Sequence, residues 1–253
     1  MLSRLLRELL FTLIHLVMDI LVAVQTCYQQ FYTKKWKITH ETAPNSVMKM
    51  LLEHRKQLSK APKHLVFLAD TDHHSFGDLA QIVIWALLTG IPYISFHDIT
   101  GEIKENENKL FEEVQRCKKG IPGCIKWANM PNLNGYTNGT QSHTVNINIF
   151  THNDGRPRII KCIKDIAEKK VNFTENSDFT AQDLDKALSF IYPPIPEPEL
   201  VLYTGLTCCT HGLLPWQIRL TEFIQLSIDY SINVNTFIGA LYKYSKCDQR
   251  FGK

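Results

Sequence analysis

The sequence predicts an α/β domain with a mainly parallel central sheet flanked by helices, preceded by an N-terminal membrane helix. Three observations predict it. Short apolar runs that end in polar residues alternate with segments of helical spacing, the pattern of a parallel sheet covered on both faces. The 253 residues are 44% hydrophobic and 21% charged, which is ample for a sizeable core. The run Leu9–Val24 is almost wholly apolar, broken only at His15 and Asp19.

That first run reaches about 20 residues if Leu5 and Leu6 are counted, close to the length that spans hydrocarbon. Asp19 near its centre costs about 2.5–3.5 kcal/mol on insertion, so a tilted span and an in-plane anchor both stay open. Gln25-Thr26-Cys27-Tyr28 is a poor cleavage site, which argues against a removed signal peptide. Residues 34–63 carry eight Lys or Arg against Glu41 and Glu53, a net +6. Positive flanks stay cytoplasmic and attract anionic headgroups, so the large domain is expected to face the cytosol. The sequons at Asn138 and Asn172 would then never meet the glycosylation machinery. The expected organisation is an anchor over 1–30, a basic linker and helix over 31–62, and the large α/β domain over 63–253, ending in an R-x-G tail.

Residues 45–60 have helical spacing at Val47, Leu51, Leu52 and Leu58. His64–Asp70 reads as a buried strand. Ser75 caps a helix running to about Leu88 and closed by Gly90, and Pro92–Asp98 is a second buried strand. Lys104–Lys119 reads as one charged amphipathic helix. Residues 120–142, rich in Gly, Pro and Asn, read as a long loop. Val145–Phe150 alternates as a strand does. Arg158–Lys170 and Thr180–Ile191 are helical, and Pro193–Glu199 is a stiff connector. Leu200–Thr204 is a further strand. Pro215–Leu226 and Asn235–Gln249 read as closing helices, with Trp216, Ile218, Leu220 and Phe223, then Phe237 and Leu241, as mostly core positions.

Composition excludes several classes. Gly and Pro are scarce, which rules out collagen-like and wholly disordered chains, and a net charge of +3 is not the footprint of a nucleic-acid binder. Seven cysteines, none in a C-x-x-C, fit a reducing compartment better than a zinc site or disulfide framework. Ligands of such sheets sit at the carboxyl ends of strands. Asp70-Thr-Asp72-His73-His74 gathers two carboxylates and two imidazoles there, a set that could bind metal or move protons or simply form a polar loop. Cys208-Cys209-Thr210-His211 sets thiols beside a base, but adjacent side chains point apart and no orienting third group is visible. Arg250-Phe251-Gly252-Lys253 follows the last predicted helix; its guanidinium suits phosphate oxygens, and two cations also simply complement a helix dipole.

Taken together, Pro92–Gly101 (PYISFHDITG), Asn148–Ile159 (NIFTHNDGRPRI), Gly212–Glu222 (GLLPWQIRLTE) and Cys247–Lys253 (CDQRFGK) resemble the cis-prenyltransferase family, and most closely its accessory branch. The resemblance runs from about His64 to Lys253, in the family's order and spacing. Departures matter as much. Catalytic members open with H-x-x-x-x-M-D-G-N-x-R, where this chain has His64 to His74 with Asp70 at the acid position and no Gly-Asn or arginine. They later carry R-T-G-G-E-x-R-x-S, where this chain has Tyr203, Cys209 and His211 in place of two arginines and a serine. Lost guanidiniums remove the forks that hold a diphosphate. Glu222 matches a family carboxylate near the metal.

The resemblance therefore implies a relict pocket (Asp70, Tyr203, Cys209, His211, Glu222) and no catalytic or metal-binding residue in this chain alone. It also implies a working R-x-G tail. Arg250 and Gly252 would hold isopentenyl diphosphate in the site of a catalytic cis-prenyltransferase partner, dehydrodolichyl diphosphate synthase, with Mg²⁺ bound mainly by that partner and the diphosphate. The partner would extend farnesyl diphosphate for dolichol synthesis and protein glycosylation, at the endoplasmic reticulum membrane with this domain in the cytosol. The alternatives are a self-sufficient homodimeric cis-prenyltransferase and a membrane receptor or lipid-binding scaffold.

Overall fold

The structure, a computed structural model, describes residues 6–21, 24, 44–98, 100–135, 143–168, 179–192 and 194–248. The chain divides into two units, residues 1–46 and 47–253. In the first, residues 6–21 form helix α1 with exposed apolar side chains, Leu6, Leu9 and Leu13 among them. Among the described residues no helix is long and apolar enough to cross a membrane. The part of the basic run before residue 44, the sequons at Asn138 and Asn172, and the tail residues Arg250 and Gly252 lie outside the described residues.

The second unit is built on seven strands in the order β4-β3-β5-β2-β1-β6-β7. These are β1 (His64–Ala69), β2 (Tyr93–Asp98), β3 (Cys124–Trp127), β4 (Met130–Asn134), β5 (Thr144–Thr151), β6 (Leu200–Thr204) and β7 (Glu222–Ser227). All neighbours are parallel except β3 and β4. The helices are α2 (Pro44–Gln57), α3 (Phe76–Thr89), α4 (Glu102–Glu105), α5 (Glu107–Lys118), α6 (Arg156–Ala167), α7 (Ala181–Ile191) and α8 (Val234–Ser245).

Sequence chemistry sets α3 at both ends. The Ser75 hydroxyl accepts from the Asp78 amide at 3.2 Å while the Asp78 carboxylate accepts from the Ser75 amide at 3.0 Å. This reciprocal pair satisfies two amides that the helix itself cannot. Gly90, at φ 79°, donates back to the last carbonyls. From Ile82 to Thr89 the helix is almost wholly apolar and every residue is buried, while Gln81 in the preceding turn is exposed. One layer of core therefore packs α3, α5 and α8 with Leu51 of α2 against one sheet face, through Phe67, Phe96, Phe237 and Tyr244. The other face packs Val66, Phe150 and Val201 against Cys162 of α6 and Leu188 of α7.

Three expectations are corrected. The charged helix breaks at Asn106, whose backbone (φ −106°, ψ 30°) ends α4 and opens α5. Residues 120–142 hold a hairpin rather than only a loop: β3 alternates with Ile125 and Trp127 buried, extending the sheet beside β5. Residues 215–226 are not a helix. The chain turns through 215–220 and then enters β7. Its apolar residues Phe223, Ile224 and Leu226 fit helix and strand spacing alike, and pairing with β6 decides between them.

Candidate functional site

The carboxyl edge of a parallel sheet is where loops can gather chemistry, and here it splits by face. On the α3 face, the turn after β1 begins at Asp70. The Asp70 carbonyl accepts from the amides of His73 (3.1 Å) and His74 (2.8 Å), and its carboxylate accepts from the Asp72 amide at 3.1 Å. His74 is folded inward: its Nδ1 accepts from the Asp70 amide at 3.0 Å, which leaves Nε2–H to donate to the Thr204 hydroxyl at 3.1 Å. It also stands edge-on to Phe67, 5.1 Å between ring centres. Burial pushes the His74 pKa down to about 4, against the pull of Asp70 and Asp78. This imidazole is a neutral strut between β1 and β6, not a proton carrier at neutral pH.

His73 points outward and stacks on Tyr230, with ring centres 3.9 Å apart. Tyr230 sits at φ 60°, a region a bulky residue rarely occupies. Its hydroxyl lies against Gly205, where an added Cβ would meet it at 2.9 Å. So the loops after β1, β6 and β7 close on one another through His73, Gly205 and Tyr230. His73 Nε2 is 3.8 Å from the Asp70 carboxylate with both groups nearly half exposed, an ion pair worth little.

Two further strand ends satisfy themselves. The Asp98 carboxylate accepts from the Thr100 amide (3.0 Å) and hydroxyl (2.7 Å) and from the Ile103 amide (2.8 Å), so it caps α4. Asp154 pairs with Arg158 at 3.1 Å, and its carbonyl accepts from the Tyr192 hydroxyl at 2.6 Å. Burial pushes that phenol up to about 12. His97 is buried beside the His211 backbone, and its ring nitrogens make no hydrogen bond among the described residues. Gly212, at φ 78°, brings its carbonyl so close to Gly155 that a Cβ there would lie 2.1 Å away. The edge is thus closed by contacts between its own loops.

The five residues expected to share one pocket are not together. Asp70 lies at the turn just described. Tyr203, half-buried on β6, points to the opposite sheet face from its neighbour Thr204. Cys209 is exposed, and His211, at φ 46°, belongs to the α6 side near His97. Glu222 is the clear correction. It opens β7 level with Leu200 and Leu65, so it sits at the amino edge of the sheet, five strand residues or about 17 Å from Asp70. There its amide donates to the Glu199 carbonyl at 3.0 Å. The resemblance matched it to a family carboxylate near the metal; as the first residue of β7 it lies at the far edge. Among the described residues no group of three or more His, Cys, Asp or Glu could hold a metal ion. Sequence reasoning missed Tyr230 and His97, which carry no motif and become informative only once the loops are folded.

Burial of imidazoles gives a pH test. His64, His74 and His97 are each pushed down to about 4, chiefly by burial. His64 is otherwise well served, donating to the Pro196 carbonyl and accepting from Ser95, both at 2.7 Å. Folded values below the ordinary 6.5 mean that, between about pH 6.5 and 4, the unfolded chain takes up protons that the folded chain refuses. This stability is fully present above 6.5 and is lost as pH falls through that window. The loss is at most about 1.4 kcal/mol per pH unit for each histidine. The denaturant midpoint should therefore drop between pH 7.5 and 5, and His74→Gln should show a shallower drop. A midpoint flat with pH, or an unchanged slope in the variant, would exclude this account of His74.

No family model matches the chain. The mouse protein named dehydrodolichyl diphosphate synthase complex subunit Nus1 is 31% identical over 204 residues, covering 78% of this chain and 68% of that protein. The human protein of the same name is 31% identical over 208 residues, covering 78% and 69%. Among solved structures, lavandulyl diphosphate synthase from Lavandula x intermedia, in complex with dimethylallyl diphosphate, superposes with a TM-score of 0.56 at 14% identity, over 76% of this chain and 99% of that one. That likeness is one of fold.

Proposed function

The chain belongs to the family of dehydrodolichyl diphosphate synthase complex subunits, and on that premise we propose that it is the accessory, non-catalytic subunit of such a complex. The observation that carries the reading is the 31% identity to these subunits, which spans 78% of the chain. The state of the sheet's carboxyl edge supports it. Asp98 is spent on capping α4, and His73, Gly205 and Tyr230 close on one another. Tyr203, Cys209 and His211 supply no guanidinium where the resemblance expects arginines.

In this reading the catalytic partner adds isopentenyl units to farnesyl diphosphate, and this chain lends it the tail. Arg250 offers a planar fork of donors to the diphosphate of isopentenyl diphosphate, and Gly252 lets the backbone approach those oxygens without a Cβ in the way. Mg²⁺ would neutralise the diphosphate charge when bound. Asp70, and Glu222 at the far edge, do not form an oxygen cage for it. In this reading the ion is held by the partner and the substrate. Residues 6–21 present apolar side chains over most of the helix surface, with Glu8, Thr12, His15 and Asp19 along one face, a pattern that suits contact with lipid on the apolar side. In this reading the basic stretch 34–63 meets an anionic cytosolic leaflet, with the domain on the cytosolic side of the endoplasmic reticulum membrane.

The test is prenyl transfer from labelled isopentenyl diphosphate to farnesyl diphosphate in three samples: this chain, the catalytic partner, and the two co-purified. Activity should be high only in the co-purified sample. Activity from this chain alone would replace the reading with a self-sufficient homodimeric enzyme and make Asp70 the residue to mutate.

A further inference from the structure

We propose that Cys208 and Cys209 form a redox-active vicinal dithiol, a modification site on the loop after β6 that takes up disulfides and soft electrophiles. The inference does not depend on the role in a synthase complex. Both thiols are free and exposed, whereas the other described cysteines are buried or half-buried. Two of those are also engaged: the Cys124 thiol donates to Asn134 at 3.1 Å and the Cys247 thiol to the Lys243 carbonyl at 3.3 Å. Thiol oxidation follows access, so exposure singles out this pair.

Adjacency does the rest. Adjacent side chains start out pointing apart, but across a trans peptide the two Cα atoms are only about 3.8 Å apart, so a rotation within this exposed loop brings the second sulfur to the first. That spacing is below the roughly 4.4–6.8 Å of ordinary disulfides, so the ring formed is strained and readily reduced again. Such a bond forms under an oxidising load and is labile when the load passes. Partial burial and the neighbouring thiol push the Cys208 pKa up, so at rest it is a thiol rather than a standing thiolate. Proximity, not acidity, makes the site.

The step balances with a low-molecular-weight disulfide such as oxidised glutathione. One cysteine thiolate attacks a glutathione sulfur, a mixed disulfide forms, and one glutathione thiolate leaves. The neighbouring thiolate then attacks the protein sulfur, the Sγ–Sγ bond forms, and the second glutathione leaves. The cysteine pair is oxidised by two electrons, the glutathione disulfide is reduced to two thiols, and the two cysteine protons end on them. Ring closure twists the Cys208–Cys209 peptide in a loop that already holds positive φ at Gly205 (85°), His211 (46°) and Gly212 (78°). The Gly212 carbonyl seats that loop on Gly155, so the strain is delivered to the carboxyl edge of the sheet.

The test uses the full chain in glutathione buffers of graded ratio, with free thiols trapped by alkylation and the peptide holding both cysteines weighed. Oxidation should give an unalkylated peptide about 2 Da lighter than the dithiol form, reversible by reduced glutathione. A stable glutathione adduct on either residue, or oxidation only after the buried cysteines, would overturn the proposal. Phenylarsine oxide supplies a second reading, since tight binding needs two neighbouring thiols. One equivalent should bind, and Cys208→Ser and Cys209→Ser should each abolish it. Retention in both variants, with folding checked by circular dichroism, places the dithiol elsewhere.

Discussion

Arg250→Ala is expected to lower kcat/KM for isopentenyl diphosphate in the co-purified complex by about 10- to 100-fold while leaving co-purification intact. A hydrogen bond to a charged group contributes about 1.5–3 kcal/mol, and every 1.4 kcal/mol is tenfold in rate. A buried diphosphate that loses a bidentate partner also loses its charge balance, which puts the expected effect in the upper part of that range. Arg250→Lys keeps the charge but not the fork, so its activity should fall between alanine and the parent. Gly252→Ala should act through backbone approach and lower activity without altering charge. Steady-state prenyl transfer measures all three. Full activity in Arg250→Ala would remove the tail from the partner's site, and failure to co-purify would make it an assembly element instead.

Phe67→Ala should cost about 3–5 kcal/mol of folding free energy, the usual range for emptying a buried aromatic site. Phe67 is fully buried at the middle of β1, edge-on to Phe96 at 6.4 Å and to His74 at 5.1 Å between ring centres. Its removal leaves a cavity on the α3 face and takes away the ring that holds the His74 strut. Domains of this size keep only about 5–15 kcal/mol in reserve, so the variant stands near the edge of folding. Phe190→Ala is the control, because that side chain is 82% exposed and its loss should change stability by less than about 0.5 kcal/mol. Denaturant titration of both gives the comparison. A small effect at Phe67 would show that the layer between α3 and the sheet collapses around the gap.

The parts of the fold that could be read from residues are those where local chemistry and burial agree. Ser75, Asp78 and Gly90 mark α3 because cap, box partner and left-handed stop occur at the right spacing around an apolar run. Leu65–Ala69 is a continuous apolar stretch and Tyr93–Asp98 is buried at all but its first residue, as suits strands covered on both faces. The β3–β4 hairpin was hidden because its strands are short and sit among Gly, Pro and Asn. β7 was hidden because its apolar residues satisfy two periods, and only the ladder to β6 separates them. The site followed the same division. Asp70 and His74 are legible as a polar strand end. Glu222 was misplaced with β7, and Tyr230 reaches His73 only through a backbone turn that no side-chain pattern announces.

Strand β1 has one further consequence, for the nascent chain. It lies between β2, which begins at Tyr93, and β6, which begins at Leu200. One lateral edge of β1 can be paired soon after synthesis, while the other waits for more than a hundred residues to follow. At about 5–20 residues per second that wait is on the order of ten seconds. Throughout it, the apolar run Leu65–Phe67 presents unpaired backbone groups to any strand that comes near. This interval leaves the newly made chain open to aggregation however stable the finished sheet is, and co-expressed holding chaperones should raise its yield.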